Sequence, residues 1–435
     1  MSTEAKDKPL GFRAWYTAIL LMVIYLFAFL DRSLPSILMQ SIKADLALSD
    51  TQVGLLSGVM FALLYSIMGF PMAALIDRFP RRFVLGGAIL LWSSVTCLAG
   101  FAANFWQYAL SRLGVAVGEA ACGPAAQSII GTSFPARFRG RAFALYFIGA
   151  PIGTLLGLML GGLINELANW RLAMFALGAP GGVLALLAFF TLREDRVRAA
   201  ERRSSPDAPA VAQVIGVFFG NRGLLHLMVG MVLTAVSMSA VGAFAPLYFI
   251  REFHKGTAAI GASYGLAVGV AGVAGTVLGG WIADRFGENR HLPAMSLVAV
   301  LICLGAASGL AGLVWAPSYA LLLACIFPMQ IVGTLQGPAG VAAMQRNLPP
   351  RMYAVSAAIH LFAFNGIGLS LGPLIAGAIS DHFAARGPAG SLHVALCVMT
   401  LPAVWGAGHF ARAAFLLRDP RRQDPEILSC PVVAV

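Results

Sequence analysis

The chain has 435 residues, of which 59% are apolar and 11% charged, with a formal net charge of +11. Soluble domains carry about 25% charged residues, so this sequence cannot cover itself with a surface suited to water; its solvent is lipid. The positive balance alone points to nucleic acid or an anionic membrane, and the placement of the charges decides between them.

Apolar segments follow one another near residues 15–40, 52–75, 83–102, 106–131, 142–164 and 172–192. Six more lie near 223–250, 258–283, 292–313, 318–340, 353–380 and 391–416. Each suffices for a helix across a hydrocarbon core, which takes about 20 residues. The first is longer than a signal-peptide core and lacks a small-residue cleavage site, so it reads as a retained span. With the N-terminus in the cytoplasm, the cytoplasmic loops and tails collect 23 of the 30 Lys and Arg residues. The outer loops hold only Lys43, Arg171, Arg251, Lys255 and Arg386, while Arg32 and Arg112 lie inside spans. This bias puts both termini in the cytoplasm and explains the basic balance without nucleic acid. A plasma membrane or bacterial inner membrane is the expected location, and a monomer the expected state.

Five of the six cysteines, Cys97, Cys122, Cys303, Cys325 and Cys397, fall within spans, and Cys430 lies in the tail. None has metal-ligand spacing, so neither disulfide, metal nor cofactor is expected. The polar stretch at 192–213 is charged and then Ser/Pro-rich, as in a linker between halves. The domain division is therefore 1–192, a linker at 193–215, a second half at 216–417 and a tail at 418–435. The halves also repeat a loop after their second span, ALIDRFPRR at 74–82 and WIADRFGENR at 281–290. Such recurrence implies parallel internal repeats.

The run Gly280-Trp281-Ile282-Ala283-Asp284-Arg285-Phe286-Gly287 resembles the signature loop of the major facilitator superfamily. In the first copy, Ala73 and Pro80 stand where glycines are usual, while Arg81 and Arg82 keep the basic pair. Gly149-Ala150-Pro151, with Gly153 and Gly157, is similar to the superfamily's Gly/Pro packing motif. Four further stretches resemble the spinster-like branch: FLDRSLPSIL (29–38), LSDTQVGLLSGVMF (48–61), SRLGVAVGEAACGPA (111–125) and LGPLIAGAISD (371–381). Ala28 stands where that branch leads one to expect Asn. The resemblance implies an all-α membrane protein of twelve helices, in two six-helix bundles related by a pseudo-twofold axis. It further implies transport of sphingosine 1-phosphate or a lysophospholipid, with proton coupling.

Only four charges fall well inside apolar segments: Asp31, Arg32, Arg112 and Glu119. A charge at mid-membrane costs about 2.5–3.5 kcal/mol on insertion scales, so each needs a partner, a watery cavity or a function. Arg112 and Glu119 are seven residues apart, on one helix face about two turns apart. Asp31 and Glu119 are thus the proton-coupling candidates. The substrate candidates are Arg112, Glu119 and Asp31, joined from the second half by Gln336, His360 and Asn365. Gln330 is a further polar residue there. Arg32 reads as snorkelling or paired with its neighbour. The alternative for the intramembrane charges is a structural ion pair pinning the first and fourth spans. Asp77, Arg78, Arg81, Asp284 and Arg285 form a candidate cytoplasmic gate, with each aspartate placed to accept from a neighbouring helix N-terminus. Plain positive-inside anchoring is the competing account of the arginines.

These features describe a proton-coupled secondary transporter of an amphiphilic organic anion, such as a lipid phosphate or lysolipid. A polyspecific drug/proton antiporter or a small organic-anion/proton transporter is the alternative. An intramembrane lipid enzyme would need a nucleophile–base pair or metal ligands within spans, and none is visible.

Overall fold

The computed structural model describes residues 12–192, 211–285, 291–349 and 352–417. Among these residues there is no strand, and 12 helices are long and apolar enough to cross a membrane. They are α1 (Phe12–Asp45), α2 (Asp50–Ile76), α3 (Arg81–Ala99), α4 (Phe105–Ser133), α5 (Phe138–Leu167) and α6 (Trp170–Thr191). The second set is α7 (Arg222–Phe253), α8 (Thr257–Arg285), α9 (Pro293–Trp315), α10 (Tyr319–Arg346), α11 (Val355–His382) and α12 (Ala384–Leu416). A short apolar helix, Val211–Gly220, precedes α7. The linker at 193–210 and the tail from 418 lie outside the described residues.

Local chemistry sets many of the starts. Ser49 accepts from the Gln52 amide while Gln52 accepts from the Ser49 amide, a reciprocal cap that opens α2. Asn104, Asn169, Asn221 and Ser318 cap α4, α6, α7 and α10 in the same way from one side. Large apolar side chains such as Leu167, Phe190 and Leu304 are exposed, as lipid contact requires.

The chain folds into two compact units. The first comprises residues 1–41, 67–204 and 257–265, and the second 42–66, 205–256 and 266–435. Residues 42–66 of the first half thus belong to the second unit, and residues 257–265 of the second half to the first. In the first unit, a Cβ on Gly153 of α5 would lie 2.1 Å from the Leu26 carbonyl oxygen of α1. In the second, a Cβ on Gly372 of α11 would lie 2.1 Å from the Val236 carbonyl oxygen of α7. Without water to drive apolar burial, helices in lipid associate by close backbone packing, and glycine permits it. The duplicated chain uses the same device in equivalent helix pairs. The core of the second unit is built from Leu227, Met231, Ile302, Leu335 and Phe410.

Several spans depart from regular α-helix. α2 carries a π-helical turn at Val59–Leu63, and α11 one at Phe362–Leu369. The regular hydrogen bonding of α4 breaks at Ala120 and Ala121, immediately after Glu119. Such interruptions recur at functional positions.

Candidate functional site

The intramembrane charges of the first unit converge. Gly118 makes this possible on α4, because a Cβ there would meet the Ala88 carbonyl of α3 at 2.9 Å. The next residue, Glu119, has no exposed surface, and its Oε2 accepts from Nε of Arg32 on α1. Its Oε1 has no hydrogen-bond partner among the described residues. The Arg32 side chain is 21% exposed, and its guanidinium lies 4.9 Å from the centre of the Phe29 ring. Asp31, also buried, accepts from the Thr96 hydroxyl of α3 at 2.7 Å. Arg112 is buried on α4, within electrostatic reach of Asp31 and Glu119. One turn before it stands Tyr108, fully buried, with a hydroxyl that bonds no described group. The arrangement holds two carboxylates and two guanidiniums in one apolar setting, with one carboxylate oxygen still able to take a proton.

The helical face that carries Arg112 and Glu119 does bring both inward, but the direct partner of Glu119 is Arg32. Sequence spacing on one helix cannot show which side chain of another helix reaches across. Thr96 carries no charge and gave no signal in the sequence.

The second-half candidates belong to the other unit. Gln336 is fully buried and neither end of its amide has a hydrogen-bond partner among the described residues. His360 is buried beside Phe364, at 5.7 Å between ring centres, with Nδ1 unpartnered among the described residues. Asn365 is half-buried, and its amide donates to the Leu361 carbonyl of its own helix at 3.1 Å. Gln330 is buried.

Of the candidate gate, Arg81 is buried and donates to the Thr132 hydroxyl of α4 at 3.2 Å. Arg78, Asp284 and Arg285 are exposed. Asp284 has no hydrogen bond or ion pair among the described residues, and the side chain of Asp77 lies outside them. Arg346 of α10 donates to the Ala283 carbonyl at the end of α8, where a cation suits the helix dipole.

A richer polar network stands at the opposite ends of the spans. Asp381, at the end of α11, accepts from the backbone amides of Asp50 and Thr51 at 2.9 and 2.7 Å, capping the start of α2. Asp50 in turn accepts from Arg251 of α7 at 3.1 Å, from Ser380 at 2.7 Å and from Lys43. In the first unit, Glu166 at the end of α5 accepts from the Ala258 amide at the start of α8, 2.8 Å away. The pairs α5–α8 and α11–α2 are equivalent under the internal repeat. Asp50 and Asp381 both lie in stretches already singled out in the sequence, but nothing local revealed that they meet.

The sequence pattern of the Major Facilitator Superfamily matches residues 21–358. The chain belongs to that superfamily. It is 32% identical over 386 residues to an MFS-type efflux pump of Mycolicibacterium smegmatis, covering 88% of each chain. It is 26% identical over 431 residues to Protein spinster homolog 1 of Xenopus tropicalis, covering 93% of this chain and 82% of that one. Its fold matches a crystal structure of a bacterial homolog to the human lysosomal transporter Spinster, inward-facing and unoccupied. That match has a TM-score of 0.82 and 23% identity, covering 94% of this chain and 98% of the other. The transporter is therefore a twelve-span, spinster-like member of the superfamily, and its intramembrane charges sit in a fold built to move solutes.

Proposed function

We propose that this transporter moves an amphiphilic organic anion by alternating access, driven by protons carried on Glu119 and Asp31. The observation that supports the reading most directly is the Glu119 carboxylate. It is fully buried, bound through one oxygen by Arg32, and unpartnered at the other among the described residues. Buried ion pairs are weak stabilisers compared with apolar packing, so such a group in a membrane helix calls for a function. In this reading a proton on Oε1 loosens the hold of Arg32. Arg112 receives the headgroup of a lysolipid or lipid phosphate such as sphingosine 1-phosphate. Gln336, His360 and Asn365 offer polar contacts from the second half. Asp77, Arg78, Arg81, Asp284 and Arg285 act at the cytoplasmic gate, and both termini face the cytoplasm.

The test is binding and proton-driven uptake in proteoliposomes, comparing a lysolipid phosphate with a neutral lipid of equal tail. Arg112→Ala leaves the Arg32–Glu119 pair in place, and the expected result is about tenfold weaker binding of the phosphate alone, since a guanidinium grips an anion through charge-assisted bonds. Equal loss for both lipids overturns headgroup recognition. A second reading, a polyspecific proton-driven exporter, draws on the relative named as an efflux pump. It predicts competition by unrelated amphiphiles at the same site.

A further inference from the structure

Helices α7 and α12 run antiparallel within the second unit, and two contacts fix their register. A Cβ on Gly223 would lie 2.6 Å from the Leu417 side chain, and one on Gly230 would lie 3.0 Å from the Gly406 carbonyl. That register sets His226 opposite His409 and brings Arg222 and Arg412 to the same end of the helix pair. The two Nδ1 atoms are 2.9 Å apart, with ring centres 4.8 Å apart. A contact so short needs one ring to donate and the other to accept. The Nε2 atoms then face away from the contact, and one of them carries a hydrogen.

Arg222 stands one turn before His226, and Arg412 three residues after His409, so both arginines lie toward the same end of the two helices. At that end one membrane-length helix begins, at Arg222, and the other finishes, at Leu416. Both arginines are exposed, the histidines are half-buried, and Arg412 is within electrostatic reach of His226. No Asp or Glu occurs at 211–251 or at 382–418, and no described carboxylate pairs with either arginine. Two cations at one end of a helix pair, with no carboxylate beside them, favour an anion there. Aromatic groups complete the surface: exposed Trp405 meets His409 edge-on at 5.9 Å between ring centres, and the Arg412 guanidinium lies 5.9 Å from the Phe415 ring centre.

We propose that Arg222, Arg412 and the His226–His409 pair bind the headgroup phosphate of an anionic phospholipid, drawn from the bilayer, on the lipid-facing side of α7 and α12. The phosphate is shared by the two guanidiniums, and the outward Nε2–H of the histidine pair supplies a neutral third donor. The site is independent of the transport reading, because none of its residues belongs to the Asp31–Glu119 cluster. It ties the start of α7 to the end of α12, so the lipid braces the second unit at one boundary.

The experiment titrates the full-length protein, purified in a neutral detergent, with phosphatidylglycerol, with phosphatidylcholine of identical tails, and with inorganic phosphate. Native mass spectrometry reads the bound lipid and thermal unfolding reads the brace. The expected result is one retained phosphatidylglycerol and a raised Tm, with little effect of the other two. Arg222→Gln with Arg412→Gln weakens retention about tenfold, as loss of two charge-assisted donors implies, while the same double change to Lys keeps most of it. His409→Gln removes the paired imidazole and weakens retention less. Equal retention of both phospholipids, or a full response in the double Gln variant, overturns the proposal. An equal response to inorganic phosphate also overturns it, by showing a simple anion site in place of a lipid site.

Discussion

Nε of Arg32 on α1 holds Oε2 of Glu119 on α4, across 87 positions of sequence, in a setting where the carboxylate has no exposed surface. The pair joins two helices at the level where α4 loses its regular hydrogen bonding. Its consequences differ from those of an arginine and glutamate seven residues apart on one helix.

Glu119→Gln keeps the side chain's shape and removes its proton chemistry. The expected outcome in proteoliposomes is loss of proton-driven accumulation, with downhill exchange of substrate retained. Accumulation at the original rate in Glu119→Gln and in Asp31→Asn would dismiss both as proton carriers.

Arg32→Ala leaves a buried carboxylate without its direct cation, and breaking such a pair destabilises by about 3–5 kcal/mol when fully buried. With Arg32 partly exposed, about 1–3 kcal/mol is expected. Adding Glu119→Gln to Arg32→Ala should recover most of that loss, read as the unfolding midpoint in detergent. A double variant no more stable than Arg32→Ala would mean that the two side chains are not coupled.

Thr96→Val replaces the hydroxyl that donates to Asp31 with a methyl group of similar size. Removing a hydrogen bond to a buried charged group costs about 1.5–3 kcal/mol, and here it should fall on the charged form of Asp31. The expected readout is a shift of the pH profile of uptake toward higher pH, with binding of a neutral lipid unchanged. An unmoved profile would reduce Thr96 to a packing residue.

Gly153→Ala forces a Cβ to within 2.1 Å of the Leu26 carbonyl oxygen, a backbone atom that cannot swing aside. Overpacking of this kind costs about 1–3 kcal/mol. Gly408→Ala, where a Cβ meets nothing within 4 Å, is the matched control, and in a helix it should be neutral or gain about 0.5–1 kcal/mol. Thermal unfolding of the two variants side by side decides whether α1 and α5 approach that closely.

Asp381→Asn weakens the acceptor that caps the start of α2, and Glu166→Gln does the same for α8. A carboxylate at a helix N-terminus contributes about 0.3–1 kcal/mol, more when partly buried. Spin labels near Ala47 and Ala384 should therefore show a larger population with these ends apart in Asp381→Asn. A distance distribution identical to that of the unmodified protein would rule out a latching role there.

The spans and the duplicated loop could be read from the chain itself. The hydropathy of runs such as 20–28 in α1 or 297–304 in α9 is local in kind. A segment with no water-compatible surface must satisfy its backbone as a helix wherever it lies. The basic loops, the capping Ser49 and Gln52, and the glycines of α5 are local in the same sense, because each acts through its neighbours or through the absence of a side chain.

What only the tertiary structure decided is who meets whom. The spacing of Arg112 and Glu119 on α4 put both on an inward face, yet the cation bound to Glu119 is Arg32, whose sequence neighbour Asp31 turns instead to Thr96. Asp50 and Asp381 are 331 positions apart and meet because α11 ends where α2 begins. His226 and His409 pair because α7 and α12 share a register that neither helix encodes alone. The physical reason is common to all three. Periodicity fixes which face of a helix a side chain occupies, whereas its partner depends on the rotation and depth of a second helix, and those are set by packing summed over many contacts.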